Sequence, residues 1–456
     1  MRHCDLLRRI PEEVMMVARR LRGAGHAVFV VGGAVRDLVA GRQPADWDLA
    51  TSARPEQMRP LFSDWRVIDV GARHGTLGLA PTPWPGAAAP PAAPGPEPVR
   101  LPAPEGASPP APRVVQVTTF RVEGPYGDRR HPDYVRFVDT LYEDLSRRDF
   151  TVNALALDPF TGDLHDPQGG VRDLRLGLVR AVGEAEARFR EDALRLLRAF
   201  RLVAEYGWEI EPSTARAIEE CAPLAGEVAS ERVRVELERI IRGVYAGRAL
   251  ALMVRHRLLG QLFPGLRFER VPWGAIDRLP PRVDLRLAAL LRASGEVAGA
   301  AGPGAGARGP GAGAKPTVRG LLTRWRFPTR VVDSVVALAG ARVDEALLRA
   351  DGPALRRWIS EVGRERAADL ALILRELLPE RGEGFFGRVR GELERGVPVT
   401  VEELPVSGRD VMDLLGLAPG PEVGAVLRDL LASIWDDPSL NDRETLLQLL
   451  RRRAPG

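Results

Sequence analysis

The chain has 456 residues, 45% of them hydrophobic and 28% charged, with a formal net charge of +4. It is too long for one core, so two to four domains are expected, and its balance is that of a folded protein rather than a disordered one. Two cysteines, Cys4 and Cys221, exclude a disulfide framework and point to a reducing cytoplasm; the six histidines lack metal-ligand spacing, and no run approaches the roughly 20 apolar residues of a membrane span. The opening MRHCDLLRR is basic but no apolar core follows it, so it does not read as a secretory leader.

A helix is predicted over 11–23, with Pro11 near its start, apolar Val14, Val17, Ala18 and Leu21, and glycines as stops. HAVFVV then reads as a buried strand broken by Gly32 and Gly33, and AVRDLVAG as a short helix closed by Gly41. Further strands are expected at 47–50, 66–70, 76–80, 114–120 and 135–139. Residues 81–112 are largely Pro, Ala and Gly, so they read as a disordered or polyproline-like insertion between two strands. From Glu184 the pattern turns helical. EAEARFREDALRLLRAFRLVAEYG reads as one amphipathic helix, with more at about 212–222, 230–246 and 247–258. A Gly/Ala-rich segment at 295–316 reads as flexible, and the remainder as helical.

Four segments carry chemistry. In PADWDLAT, Asp46 and Asp48 share one face of a strand while Trp47 faces the core. Side-by-side carboxylates repel unless protonated or bridged, and hard divalent cations are the natural bridge, although a lone DxD is more often a solvated turn. Upstream, VVGGAVRD places Gly32 and Gly33 where a ligand can approach the backbone, with Arg36 in the first helical turn; alone, such a turn is more often structural. LSRRDFTVNALALD sets Arg147, Arg148 and Asp149 against an apolar, helix-like segment; it reads as a phosphate contact or as a surface helix start. Finally, Asp192, Arg195, Arg198 and Arg201, spaced by three, would form one stripe of a helix. The stripe is either a salt-bridged face or a reader of nucleotide edges. Asp192 accepting from an exocyclic amino group and Arg195 donating beside it would select cytosine and adenine. The arginine-rich composition suits a polyanion, and equally a GC-rich or thermophilic genome.

Together these segments, with GARHGTLGL, VTTFR, DRRHPDYVRFV and DPQGGVRDL, resemble the class II tRNA nucleotidyltransferases, the bacterial CCA-adding enzymes, and the related bacterial poly(A) polymerases. The resemblance covers about 5–80, 113–270 and 400–450. It implies an α+β architecture: a nucleotidyltransferase head with a small mixed sheet and flanking helices at 1–165, then all-α neck (166–270), body (271–395) and tRNA-binding tail (396–456). It implies CCA addition to the tRNA 3′ end from CTP and ATP, with Asp46 and Asp48 catalytic and holding Mg2+. Gly32, Gly33, Arg36, Arg148, Asp192, Arg195, Arg198 and Arg201 would bind the nucleotide, and DPQGG would be a hinge. A-adding, CC-adding and poly(A) addition are alternatives on the same scaffold, as is a non-catalytic tRNA-binding protein. The absence of a basic stretch in GARHGTLGL argues against poly(A) addition, and the loop VEGPYGDRRHPD favours nucleotide switching. Many relatives carry a glutamate where this chain has Gln116. The oligomeric state is not legible.

Overall fold

The structure, a computed structural model, describes residues 6–81, 114–123, 135–294 and 317–453. The insertion at 81–112, the loop at 122–133 and the segment at 295–316 therefore lie essentially outside the described residues. Contacts divide the chain into two compact units, one of residues 1–237 and 252–262, the other of 238–251 and 263–456.

The first unit is built on a mixed sheet. Its elements begin with α1 (Glu12–Gly23), β1 (Val28–Val31), α2 (Gly33–Val39), β2 (Asp48–Thr51) and α3 (Pro55–Leu61). They continue with β3 (Trp65–Gly71), β4 (Thr76–Pro81), β5 (Val115–Thr119), β6 (Arg121–Glu123), β7 (Val135–Phe137), α4 (Leu141–Ser146), β8 (Ala156–Leu157) and β9 (Leu164–His165). The strand order is β3-β4-β5-β2-β1-β8-β9. Only β2 and β5 run parallel; the other neighbours are antiparallel.

The two faces of this sheet have different tasks. Val28 and Val30 of β1, Leu49 of β2, and Val115 and Val117 of β5 pack with the α1 stripe Val14, Val17, Ala18 and Leu21 into the main core. Each such fully buried aliphatic side chain contributes roughly 1.5–3 kcal/mol. Because side chains alternate along a strand, Val31, Asp48 and Gln116 fall on the opposite face. There a smaller apolar cluster of Val31, Ala50, Phe120, Leu141, Leu145 and Ala156 stops short of the exposed Asp48.

The helical part of this unit includes α5 (Gly170–Leu176), α6 (Ala185–Glu191), α7 (Leu194–Tyr206), α8 (Pro212–Cys221) and α9 (Ser230–Arg242), whose first residues belong to it. In the segment read as a hinge, Asp166 accepts from the amides of Gly170 and Val171, at 2.6 and 3.0 Å. A Cβ on Gly170 would come within 2.1 Å of the Thr151 carbonyl oxygen, so this end of α5 is held in close backbone contact.

Three expectations need correction. The helix expected from Glu184 to Gly207 is two: Asp192 is extended, at φ −144° and ψ 102°, between α6 and α7. The helix-like segment after Arg148 is instead a single turn at Thr151–Asn153 followed by β8. Its apolar residues, Val152 and Ala154 to Leu157, are all fully buried, a pattern that a short strand and a core helix share. Asp46 also lies in a bend just before β2, though the alternation of exposed Asp46, buried Trp47 and exposed Asp48 holds.

The second unit is helical among its described residues, with long helices at Arg364–Leu377, Pro379–Glu394 and Pro421–Asp436. Gly382 lets the first two approach; a Cβ there would meet the Leu374 carbonyl oxygen at 2.2 Å. Residues from Val397 to Leu450 form a separate apolar core within this unit. No described helix is long and apolar enough to cross a membrane.

Candidate active site

The site starts from the register of three strands. Asp48 pairs with Val31 of β1 on one side and Gln116 of β5 on the other. Neighbours in register point to the same face, so the Gln116 amide stands beside the Asp48 carboxylate. Asp48 keeps surface in water but is otherwise enclosed, and this burial raises its pKa. Arg148 opposes the rise, Asp46 adds to it, and Arg198 opposes it. The paired acids are thus close enough to repel, and two cations face them. Among the described residues, no group of three His, Cys, Asp or Glu side chains is placed to hold a metal. The oxygen donors are two carboxylates and the neighbouring amide.

The glycine turn lies at the end of β1. Gly32 sits at φ 73° and ψ −135° as the N-cap of α2. Its own amide donates to the Leu155 carbonyl (3.1 Å), and so is not free for a ligand. A Cβ there would approach Arg148 Nη1 to 3.0 Å. Glycine is therefore required both for the positive φ and to let Arg148 lie over the turn. Gly32→Ala is expected to cost about 1–2 kcal/mol of stability and to raise the KM for nucleotide by displacing Arg148. Unfolding and nucleotide-dependence measurements check both, and wild-type values in the two would contradict the assignment. Gly33 lies next to the Arg36 guanidinium, 3.5 Å from where a Cβ would stand.

Arg148 is steered by an acid that the sequence reading missed. Asp144 on α4 is 1% exposed and accepts from Arg147 (2.8 Å) and Arg148 (3.0 Å). Burial works against its charge, yet the two arginines hold its pKa below the ordinary value. Asp149 does not start a surface helix. It is buried and binds Arg198 Nε (2.7 Å) and Asn153 Nδ2 (3.0 Å). Burial again opposes ionisation, and Arg198 with Asn153 overcomes it, so Asp149 remains charged well below the usual carboxylate range. Arg198 is correspondingly raised, first by Asp149.

The remaining predicted residues are engaged within the protein. Arg36 is 6% exposed and donates to Asp37, Asn153 (2.7 Å) and Tyr206 (2.6 Å). Arg195 is buried and donates to Glu191 (2.8 Å) and to the Arg188 and Arg147 carbonyls. Arg201 is buried against Glu236 (3.1 Å). Asp192 accepts from the Leu194 amide (3.1 Å) and Arg232 (2.8 Å). The expected stripe of four is therefore not one surface, because the chain breaks at Asp192. Electrostatically, Asp46, Asp48, Arg148 and Arg198 come together, with Gly32 beneath Arg148. Asn153 and Asp149 carried one usable signal, their spacing of four beside a pair of arginines. Tyr206 and Glu236 carried none, because their partners are remote in sequence.

A glycine-opened helix beside paired aspartates on a mixed sheet defines a nucleotidyltransferase head. In agreement, residues 28–82 and 107–180 match the Poly A polymerase head domain. Residues 207–269 match a family described as the "Probable RNA and SrmB- binding site of polymerase A". The chain is 33% identical over 446 residues to the CCA-adding enzyme of Geobacillus stearothermophilus, covering 97% of each. The chain belongs to the CCA-adding enzyme family. A Bacillus stearothermophilus CCA-adding enzyme solved in complex with CTP is 30% identical and superposes with a TM-score of 0.69, covering 97% of both chains. The Thermotoga maritima CCA-adding enzyme, solved with tRNA, shares the fold at 18% identity and a TM-score of 0.67, over 99% of this chain and 98% of that one.

Proposed function

We propose that this protein adds CCA to the 3′ end of tRNA from CTP and ATP, without a nucleic-acid template and with release of pyrophosphate. The observation that carries the reading is the placement of Asp48: in register with Gln116, close to Asp46, and facing Arg148 over the Gly32 turn. Membership of the CCA-adding enzyme family supports the choice of reaction.

Asp46 and Asp48 would hold Mg2+. Their exposed hard oxygens suit that cation, and the partial burial that raises the pKa of Asp48 is a cost that a bound cation would offset. When bound, the metal supplies Lewis acidity toward the triphosphate and the attacking 3′-hydroxyl. The Gln116 amide beside Asp48 offers a neutral oxygen where an additional acid would increase repulsion.

Arg148 neutralises charge on the triphosphate as pyrophosphate departs. Asp144 holds that guanidinium in place, and the Gly32–Gly33 turn lets it lie close over the backbone, where phosphate can meet it from the solvent side. Arg198, fixed by Asp149, meets the nucleotide from α7. Arg36 and Arg201 brace the site through their partners within the protein. Asp192, at the break between α6 and α7, reads the base together with Arg195 once Arg232 yields it. The segments 166–270, 271–395 and 396–456 would serve as neck, body and tRNA-binding tail, gripping RNA through shape, phosphates and 2′-hydroxyls.

The test supplies labelled CTP or ATP with tRNA lacking CCA, ending in C, or ending in CC. C is expected on the first two and A on the third. Incorporation of A but never C would refute full CCA addition, and long A tails on unrelated RNA would indicate poly(A) addition.

A further inference from the structure

A ring of hydrogen bonds joins the glycine turn to α7. Arg36 of α2 donates from Nη1 to Asn153 Oδ1 (2.7 Å) and from Nη2 to the Tyr206 hydroxyl (2.6 Å), across 170 positions of sequence. Asn153 donates from Nδ2 to Asp149 Oδ1 (3.0 Å), and Asp149 Oδ2 accepts from Arg198 Nε (2.7 Å). Arg198 and Tyr206 lie about two turns apart on α7, so the path leaves that helix and returns to it.

Tyr206 is the least replaceable member. Its hydroxyl accepts from Arg36 and donates to Asp37 Oδ1 (3.0 Å). Its ring stacks on Trp208, with centroids 4.6 Å apart and planes inclined by 21°. The Arg36 and Arg42 guanidiniums lie 4.8 and 4.4 Å from its centre. Burial, with Arg36 opposing, pushes its pKa up to about 12, so the hydroxyl keeps its proton at any working pH. A phenyl ring would preserve the stacking and the cation–π contacts but not the bonds to Arg36 and Asp37.

We propose that Tyr206 is a positioning residue for nucleotide binding: through Arg36 it sets the Gly32–Gly33 turn relative to Arg198, so that triphosphate and base are held in register. The inference rests on the nucleotidyltransferase reading above. Buried polar networks of this kind specify one geometry when every member is satisfied. Because Tyr206 acts on the phosphate side, its loss penalises CTP and ATP by the same factor. A purely structural contribution would instead lower the amount of folded enzyme, and hence the apparent kcat, without altering KM.

The test uses the full-length Tyr206→Phe protein. Equilibrium binding of CTP and of ATP is measured without tRNA, followed by KM and kcat with tRNA acceptors. Both nucleotides are expected to bind about tenfold more weakly (~1.4 kcal/mol), as for loss of a hydrogen bond to a charged group. Wild-type tRNA KM and a kcat within roughly twofold are expected alongside. Asn153→Ala, on the other side of Arg36, should give the same signature. Since both hold one guanidinium, the double variant should lose less than the sum of the two in free energy. Nucleotide binding within twofold of wild type, weakening confined to one nucleotide, or strictly additive losses would each overturn the proposal. Failure of the wild-type protein to transfer C or A to tRNA would overturn the functional reading instead.

Discussion

Asp48→Ala is expected to lower nucleotide transfer by at least roughly 10³-fold while leaving tRNA binding within about twofold of wild type. The size follows from the several kcal/mol that a metal and its ligands supply to phosphoryl transfer, at about 1.4 kcal/mol per factor of ten. The separation of effects follows from position. Asp48 is at the exposed start of β2, outside the core, and its neighbours Val31 and Gln116 are held by backbone pairing that alanine preserves. Removing the carboxylate also removes the repulsion from Asp46 and the partial burial of a charge, so the folded protein should not be less stable. Single-turnover transfer, filter binding of tRNA and thermal unfolding check the three parts. Transfer near the wild-type rate would refute the assignment of Asp48 as a catalytic residue.

Asp149→Asn should be damaging for a different reason. The substitution keeps the shape but leaves Arg198 beside a neutral group, with the more distant Glu236 carboxylate, 3.9 Å away, and Asp192 for compensation. Breaking one side of a fully buried pair costs roughly 3–5 kcal/mol. Arg198 keeps a third of its side chain in water, so the expected loss is about 2–3 kcal/mol. The effect also has a pH signature. Asp149's folded pKa is depressed, so its contribution is complete above the ordinary aspartate value of about 3.9 and is lost as pH falls from there through the lowered folded value. Denaturant titrations across the acid range should therefore show a shallower decline in the variant than in wild type. Parallel acid limbs would contradict the buried ion pair. Loss of Arg198's orientation should also reduce kcat/KM for both CTP and ATP.

What the sequence carried, and what it did not, divides by the range of the interaction. Most strands of the sheet were readable, because VFVV or the run after Val114 needs only local alternation and β-branching to declare itself. The paired aspartates and the glycine turn were readable for the same reason, since each is defined within a few residues. The break at Asp192 was not. Apolar periodicity runs straight through EAEARFREDALRLLRAFR, and only the structure shows Asp192 extended and bound to Arg232. The partners of Arg36, Arg195 and Arg201 were invisible too, for an arginine free to meet phosphate and one bound to a remote group look alike in one dimension. Their partners Tyr206, the Arg147 carbonyl and Glu236 are brought close only by tertiary packing. Gln116 shows both sides: its type was plain, but its place beside Asp48 came from strand register.

The most direct test of the account is to read the 3′ ends of tRNA made without CCA after incubation with the protein and all four nucleoside triphosphates. The account predicts that the products end in C, CC and finally CCA, and that growth stops there. Ends carrying U or G, a run of A without preceding C, or continued growth past CCA would contradict it.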